Sequence, residues 1–422
     1  MEAGTMRGDR MKIIDIEGQL NKTRFSYCSD VFIGDVVHFS MTDKVSVKEM
    51  VCSLIRIIRN EICRVYSFRI IGKGITGMLF SSSYRKREDM KRYFLKLANA
   101  MDNVLIILCD GYHLCFPKRT LLKCFVWYKE LKDINISMGK KVYIVSLIQQ
   151  FYCNWIEIDR YLDKNRIDLK NLVSLCDVMP ADSFIIQKAN ENGINTITLQ
   201  HGTTTVGQYL FTHLKCNWFL AINEFQKEVA IKSGVDASKI VVVGSIKGFA
   251  KNNSIRISHN YIIGVFLGGP NLLDEDTALM EMVKKYSNKY NYKIIAKCHP
   301  GWGANKYPNR FFDWIEKVYE DEIDPIEFGK MADFTVDNGS TLFIECCAMM
   351  IPDFTYIHKR SSYYGNPNIE MTFSSYETME SLFNTYNETP HEIMDMMKGN
   401  RNYLIPSKEI SELLDDFLVS NT

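Results

Sequence analysis

Two strand-length apolar runs that each close on a histidine constrain this chain more than any other feature. Residues 194–199, Ile-Asn-Thr-Ile-Thr-Leu, give way at once to Gln200-His201-Gly202, and residues 293–297 give way to Cys298-His299-Pro300. A helical stretch precedes the first run: it opens at Pro180-Ala181-Asp182, continues to about Asn192 and is stopped by Gly193, a residue free to take a positive φ. A short apolar run at 172–176 lies before that helix. The order is strand, helix, strand, with the last strand delivering a polar tip.

The rhythm repeats. Residues 218–222 read as a strand, 224–233 as a helix ended by Gly234, and 240–243 as a strand closing on Gly244. Residues 248–260 are polar and read as a linker. A second series follows: a strand at 261–267 ending in Gly268-Gly269-Pro270, an amphipathic helix at 274–290, the strand at 293–297, and a helix at 311–319. It closes with a strand at 334–336, a turn at Asn338-Gly339-Ser340, a helix at 341–350 and a strand at 353–357. Such alternation predicts an α/β protein with parallel, doubly wound sheets. A length of 422 residues exceeds one ordinary core, so two Rossmann-like domains are expected, at 1–250 and 258–422. The first part also offers strands at 65–71, 104–109 and 142–147, and the tail at 408–419 reads as a helix able to pack back on the first domain.

Composition excludes several classes. Hydrophobic residues at 46% and charged residues at 24% belong to a folded globular chain. A net charge of +1 gives no global field for nucleic acid, so no nucleic-acid partner is expected. The twelve cysteines are scattered without a C-x-x-C pair, which predicts buried free thiols in a reducing cytoplasm and no zinc site. Residues 1–12 are polar, with no signal core behind them, and the longest apolar runs are strand-length, so a cytoplasmic chain without membrane spans is expected.

In doubly wound sheets ligands bind beyond the carboxyl ends of the strands, which singles out three groups. His201 follows an apolar strand and precedes Gly202 and Thr203; its imidazole could take a proton near neutral pH, or could cap a turn against the other domain. His299, with Pro300 fixing the chain after it, could donate to a phosphate oxygen or merely start a loop. Ser340 and Thr341 follow a strand and open a helix, where open backbone N–H groups, hydroxyls and helix dipole make a phosphate cradle. Glu345, one turn inside that helix, stands among Ile344, Cys346 and Cys347; it could accept from two ribose hydroxyls, and as a carboxylate in an apolar helix it needs a partner. Gly269 could let a ligand approach the backbone, and Lys297 and Lys306 are further phosphate contacts to weigh. No Asp-x-Asp stands at a strand end, so no metal is indicated.

Together, His201-Gly202, His299-Pro300 and Ser340-Thr341 resemble the three motifs of the inverting, metal-independent GT-B glycosyltransferases that build bacterial capsules, O-antigens and teichoic acids. The likeness is to the group holding capsular sialyl- and Kdo-type transferases and CDP-glycerol glycerophosphotransferases, and it runs from about Leu172 to Ile357. Asn338-Gly339-Ser340 stands where the glycerophosphotransferases have D-Y-S-S. The resemblance implies a GT-B fold and inverting transfer of a sugar from a nucleotide-activated donor to a glycan or lipid-linked glycan. It implies no cofactor, and a peripheral association with the inner membrane face. It further implies His201 and His299 as catalytic residues, Gly269, His299, Pro300, Ser340, Thr341 and Glu345 on the donor, and Gln200, Gly202 and Thr203 on the acceptor side. A CDP-alditol phosphotransferase, a UDP-sugar 2-epimerase and a catalytically dead GT-B scaffold are the alternatives.

Overall fold

The computed structural model describes residues 47–62, 68–81, 84, 87–109, 120–134, 136–206, 211, 214–247, 257–269, 272–299, 302–320, 322–358, 361 and 368–420. Pro300, Gly301 and most of the expected linker lie outside them.

The first sheet has strands β1 (Phe68–Ile71), β2 (Thr76–Phe80), β3 (Val104–Cys109), β4 (Asn171–Ser174), β5 (Asn195–Leu199), β6 (Trp218–Ala221) and β7 (Ile240–Val242). Their order is β1-β3-β2-β4-β5-β6-β7, parallel except for the edge strand β1. β2 is buried at every position, as a central parallel strand covered on both faces must be, while β1 alternates between half-buried and exposed. Helices α1 (Val47–Ile62), α3 (Leu121–Glu130), α4 (Met138–Asn165) and α5 (Pro180–Glu191) lie on one side, with α2 (Glu88–Asn99) on the other. Residues 142–147, expected as a strand, belong instead to α4: Ser137 caps the helix by accepting from Lys140 N–H at 3.2 Å, and Ile144, Val145, Ile148 and Phe151 recur at helical spacing against the sheet.

Helix α6 (Glu224–Lys232) lies between β6 and β7, and after β7 the chain enters the second sheet through β8 (Ile262–Phe266). Then come α7 (Leu273–Tyr290), β9 (Lys293–Lys297), β10 (Lys317–Tyr319), α8 (Pro325–Gly329), β11 (Phe334–Asp337), α9 (Leu342–Met349), β12 (Asp353–Tyr356) and β13 (Thr372–Phe373). The order β10-β9-β8-β11-β12-β13 is parallel throughout. The helix expected at 311–319 is a correction: its end is the edge strand β10, paired with β9, while Phe311 and Phe312 fold as turns against the Tyr307 ring. Apolar residues at 311, 312, 315 and 318 match a helical face, and strand pairing overrides that match.

Helices α10 (Tyr376–Glu388) and α11 (Pro390–Leu404) follow, and α12 (Ile410–Ser420) ends the chain. Ile410, Leu414, Phe417 and Leu418 of α12 join Met78, Leu108 and Val243 in the core on one face of the first sheet. The chain therefore crosses back. A separate apolar cluster joins Phe219, Phe225 and Val229 of the first unit to Phe343, Ile344 and Cys347 of α9 and Leu404 of α11.

Candidate functional site

In the second sheet β8 lies between β9 and β11, so successive crossovers leave it in opposite directions and a crevice forms at the carboxyl ends. The loops there touch. Gly269 has φ +85°, and a Cβ on it would fall 3.1 Å from His299 Cβ, so the backbone after β8 lies directly against the histidine after β9. A Cβ on Gly268 would fall 2.7 Å from the Asn338 amide, at the end of β11.

The residue that fixes this crevice is Asp276, which the sequence reading missed. Its carboxylate accepts from Gly268 N–H (2.8 Å) and Asn338 Nδ2 (2.5 Å) on Oδ1, and from Gly269 N–H (3.3 Å) and Tyr307 O–H (3.0 Å) on Oδ2. Burial pushes it up to about 6, against the pull of those donors. A signal was present: Asp276 falls in register with Met280 and Val283 on the buried stripe of α7, where a carboxylate needs donors. The first sheet repeats the device. Asp182 of α5 accepts from Ser81 Oγ (2.7 Å), after β2, and from Ser174 Oγ (3.0 Å), at the end of β4. β2 and β4 are the neighbours at which that sheet reverses its winding.

The turn after β11 differs from the expected cradle of open amides. Gly339 and Ser340 N–H groups donate to the Asp337 carboxylate at 3.2 and 3.0 Å, and Leu342 N–H donates to Ser340 Oγ at 3.0 Å. The buried Asp337 closes its own turn, taking these two amides and the Ser340 hydroxyl, and Thr341 follows at the start of α9. His358, after β12, bonds through Nε2 to the Asn338 carbonyl at 3.1 Å, and its Nδ1 lies 3.8 Å from Glu275.

Across the crevice, His201 Nδ1–H donates to the Leu175 carbonyl at 2.9 Å. A carbonyl can only accept, so in the neutral ring the proton sits on Nδ1 and the lone pair on Nε2. Tyr84 stands at that atom, its hydroxyl 3.5 Å from Nε2 and its ring edge-on to the imidazole at 5.1 Å. Burial raises Tyr84 well above the usual phenol range, which keeps it a neutral donor. Gln200 is placed otherwise than expected: its amide is buried, donating to Gln226 (2.6 Å) and accepting from Ile222 N–H (3.2 Å) inside the first unit.

The two units meet at Thr203 and Thr341. Thr203 N–H donates to Thr341 Oγ1 at 3.1 Å, the two hydroxyls are 3.3 Å apart, and a methyl on Gly202 would lie 3.7 Å from Thr341 Oγ1. Glu345 is held in a buried ion pair with Lys247, which follows β7, rather than standing open for ribose hydroxyls. Burial raises the Glu345 carboxyl and the Lys247 ammonium opposes that. Lys297 is buried and donates to the Glu320 carbonyl, and Lys306 lies over the Trp302 ring at 4.8 Å. Among the described residues, no three His, Cys, Asp or Glu side chains converge to hold a metal ion, and no helix is long and apolar enough to cross a membrane. A cavity of about 300 Å³ lined by Phe211, Leu214, Cys216 and Val235 lies before the amino ends of β6 and β7, at the opposite edge from the histidines.

No family model matches the chain, and no curated protein matches it by sequence. Solved structures do. A UDP-GlcNAc 2-epimerase from Neisseria meningitidis bound to UDP-GlcNAc aligns with a TM-score of 0.52 at 11% identity, over 83% of this chain and 100% of that one. Another UDP-N-acetylglucosamine 2-epimerase aligns at 0.52 and 14% identity, over 83% and 97%. The lipopolysaccharide outer core galactosyltransferase WaaB, in its apo form, aligns at 0.51 and 10% identity, over 83% and 100%. At such identities the likeness is one of fold. Two doubly wound α/β units facing across a cleft, as in these neighbours, give this chain the GT-B fold.

Proposed function

We propose that the chain is a nucleotide-sugar-dependent glycosyltransferase, inverting and metal-independent, acting in the cytoplasm on a glycan or lipid-linked glycan acceptor of the bacterial surface. The observation that carries the reading is the opposition of two unlike groups. On one side is a histidine whose Nε2 lone pair is set by the Leu175 carbonyl; on the other are the Ser340 and Thr341 hydroxyls, with His299 packed against Gly269 after β8. A single displacement needs both: a base for the acceptor hydroxyl, and donors for the charge that grows on the departing nucleotide.

In this reading His201 Nε2 takes the acceptor proton as the new bond forms, with Tyr84 orienting the ring. Gly202 and Thr203 flank the acceptor. Gly269 lets the donor lie on the backbone, and His299, Ser340 and Thr341 hydrogen-bond the leaving phosphate. The free thiols support a reducing compartment: of nine described cysteines all but Cys52 are buried, and none is paired. The motif resemblance supports the capsule or O-antigen setting.

Incubation of the full chain with UDP-, CDP- and CMP-sugars and a lipid-linked glycan extract tests the proposal. Nucleotide release that depends on the acceptor is expected. Epimerised sugar formed without an acceptor would replace the transferase by a 2-epimerase. Transfer of an alditol phosphate from a CDP-alditol would replace it by a phosphotransferase, and absence of any nucleotide-induced rise in the thermal midpoint would leave a scaffold.

A further inference from the structure

One buried amide pins both ends of the loop that carries His201. Gln226 is the third residue of α6, after the cap Asn223, whose side chain accepts from the Gln226 N–H at 2.9 Å. A glutamine at that position commonly turns back to the N–H of the cap residue. This one is fully buried and reaches instead to the segment after β5. Its Oε1 accepts from Gln200 Nε2 at 2.6 Å, from Thr204 N–H at 2.9 Å and from the Thr204 hydroxyl at 2.8 Å. Its Nε2 donates to the Thr204 carbonyl at 3.3 Å.

The direction of this circuit follows from the backbone. An N–H can only donate, so the atom facing Thr204 N–H is the Gln226 oxygen, and the atom facing Ile222 N–H at 3.2 Å is the Gln200 oxygen. That leaves Gln200 Nε2 turned to Gln226. One primary amide thus brackets both polar backbone groups of Thr204, as a neighbouring strand would, and ties the Gln200 side chain as well. His201, Gly202 and Thr203 lie between the two held points. Gly202 has no side chain with which to hold its own place, so order in the middle of the loop has to be imposed from its ends. The clamp contains no titratable group and holds through the pH range in which an imidazole changes charge.

We propose that Gln226 is a positioning residue of the transfer reaction, holding the loop from Gln200 to Thr204 so that the His201 ring stays on the Leu175 carbonyl and the Thr203 N–H on Thr341. The inference rests on the reading of His201 as the base and adds to it a residue that touches neither substrate. Gln226 acts through the loop backbone, and a misplacement of about 1 Å at a reacting group can cost on the order of 10²-fold in rate.

Gln226→Met keeps the length of the side chain and removes both polar functions. Turnover should fall by about tenfold or more, with nucleotide affinity within about twofold of wild type. The Thr203 and Thr204 amides should exchange faster with solvent, and the nitrogen chemical shifts of the His201 ring should move towards those of a free imidazole, a change that a merely structural amide would not produce. Thr204→Val keeps both backbone groups and should turn over within about threefold of wild type. Gln226→Glu keeps the acceptor and loses the donor to the Thr204 carbonyl, so its losses should be intermediate, and it serves by the same readouts where the Met variant does not fold. The proposal is overturned if a folded Gln226→Met keeps wild-type turnover, wild-type exchange at Thr203 and Thr204 or a wild-type His201 signal, or if Thr204→Val loses as much. Failure of both Gln226 variants to fold would make the amide a structural one and equally overturn it. A wild type without acceptor-dependent transfer would remove the transferase reading, and the exchange and histidine signals would still decide whether Gln226 holds the loop.

Discussion

Thr341 Oγ1 accepts the Thr203 backbone N–H at 3.1 Å, joining the loop that follows the first histidine to the helix start that follows β11. The bond spans the two units at the point where an acceptor and a leaving nucleotide must be brought together.

Ser340→Ala with Thr341→Ala therefore removes the hydroxyls from the turn. Loss of the bond from Leu342 N–H to Ser340 Oγ at the start of α9 typically costs about 1 kcal/mol. Nucleotide affinity, read by titration calorimetry, should fall several-fold or more while the circular dichroism spectrum stays unchanged. Undiminished affinity would remove these hydroxyls from the donor site.

His201 should separate chemistry from binding. Loss of a general base lowers the rate by about 10²–10⁴. His201→Ala and His201→Asn should both lose transfer at that scale and keep nucleotide affinity near wild type. An Asn variant with most of its turnover would show that His201 orients the acceptor and that another group takes the proton.

Asp276 gives a pH dependence with two opposite signs. Its carboxyl is pushed up to about 6 in the folded chain, so the stability it contributes is present below the unfolded value and is lost as pH rises through about 6. Its four hydrogen bonds to the crevice need the ionised form. Nucleotide affinity should therefore weaken on acidification through about pH 6, as the native state gains from this group. Asp276→Asn should flatten both trends and reduce affinity at every pH, because an amide nitrogen would face N–H donors. An affinity inflection surviving in the Asn variant would assign it to another group.

Lys247→Met leaves the buried Glu345 carboxylate without its cation. Breaking such a pair costs about 3 kcal/mol or more, whereas an apolar replacement of both partners is often near neutral. A lowered thermal midpoint in Lys247→Met that is largely restored by adding Glu345→Leu is expected. Equal losses in the single and double variants would show that the pair is not what holds α9 in place.

Turnover should persist in EDTA. Loss of activity in chelator with recovery on adding magnesium or manganese would overturn the metal-free mechanism.

Strands β8 and β9 of the second unit were legible because each is a short, mainly apolar run soon followed by Gly268 or His299. The 28-residue α4 was not, because Val142 to Leu147 is β-branched enough to pass for a strand until the residues around it are placed against the sheet. Residues 311–319 failed for the converse reason, an edge strand whose apolar spacing imitates a helix. In the site, the histidines, Gly269 and the Ser340-Thr341 pair were visible at strand ends, where topology alone puts ligands. The partners of Asp276 and Asp182 were not, because each joins near donors to distant ones, Tyr307 and Asn338 for the first and Ser81 for the second. Lys247 as the partner of Glu345 could not be read either, since only the packing of one unit on the other brings them together.

The return of α12 to the first sheet bears on how the chain is made. Leu414 and Leu418 cover the same core as Met78 and Leu108, which leave the ribosome far earlier. Helix α2 covers part of that face early, but until α12 emerges the rest keeps its apolar side chains open to water while the second unit is synthesised. Domains usually close in order during translation, the earlier one first. Here the earlier one is completed last, so a nascent chain carries exposed hydrophobic surface through most of its synthesis, a natural target for chaperones.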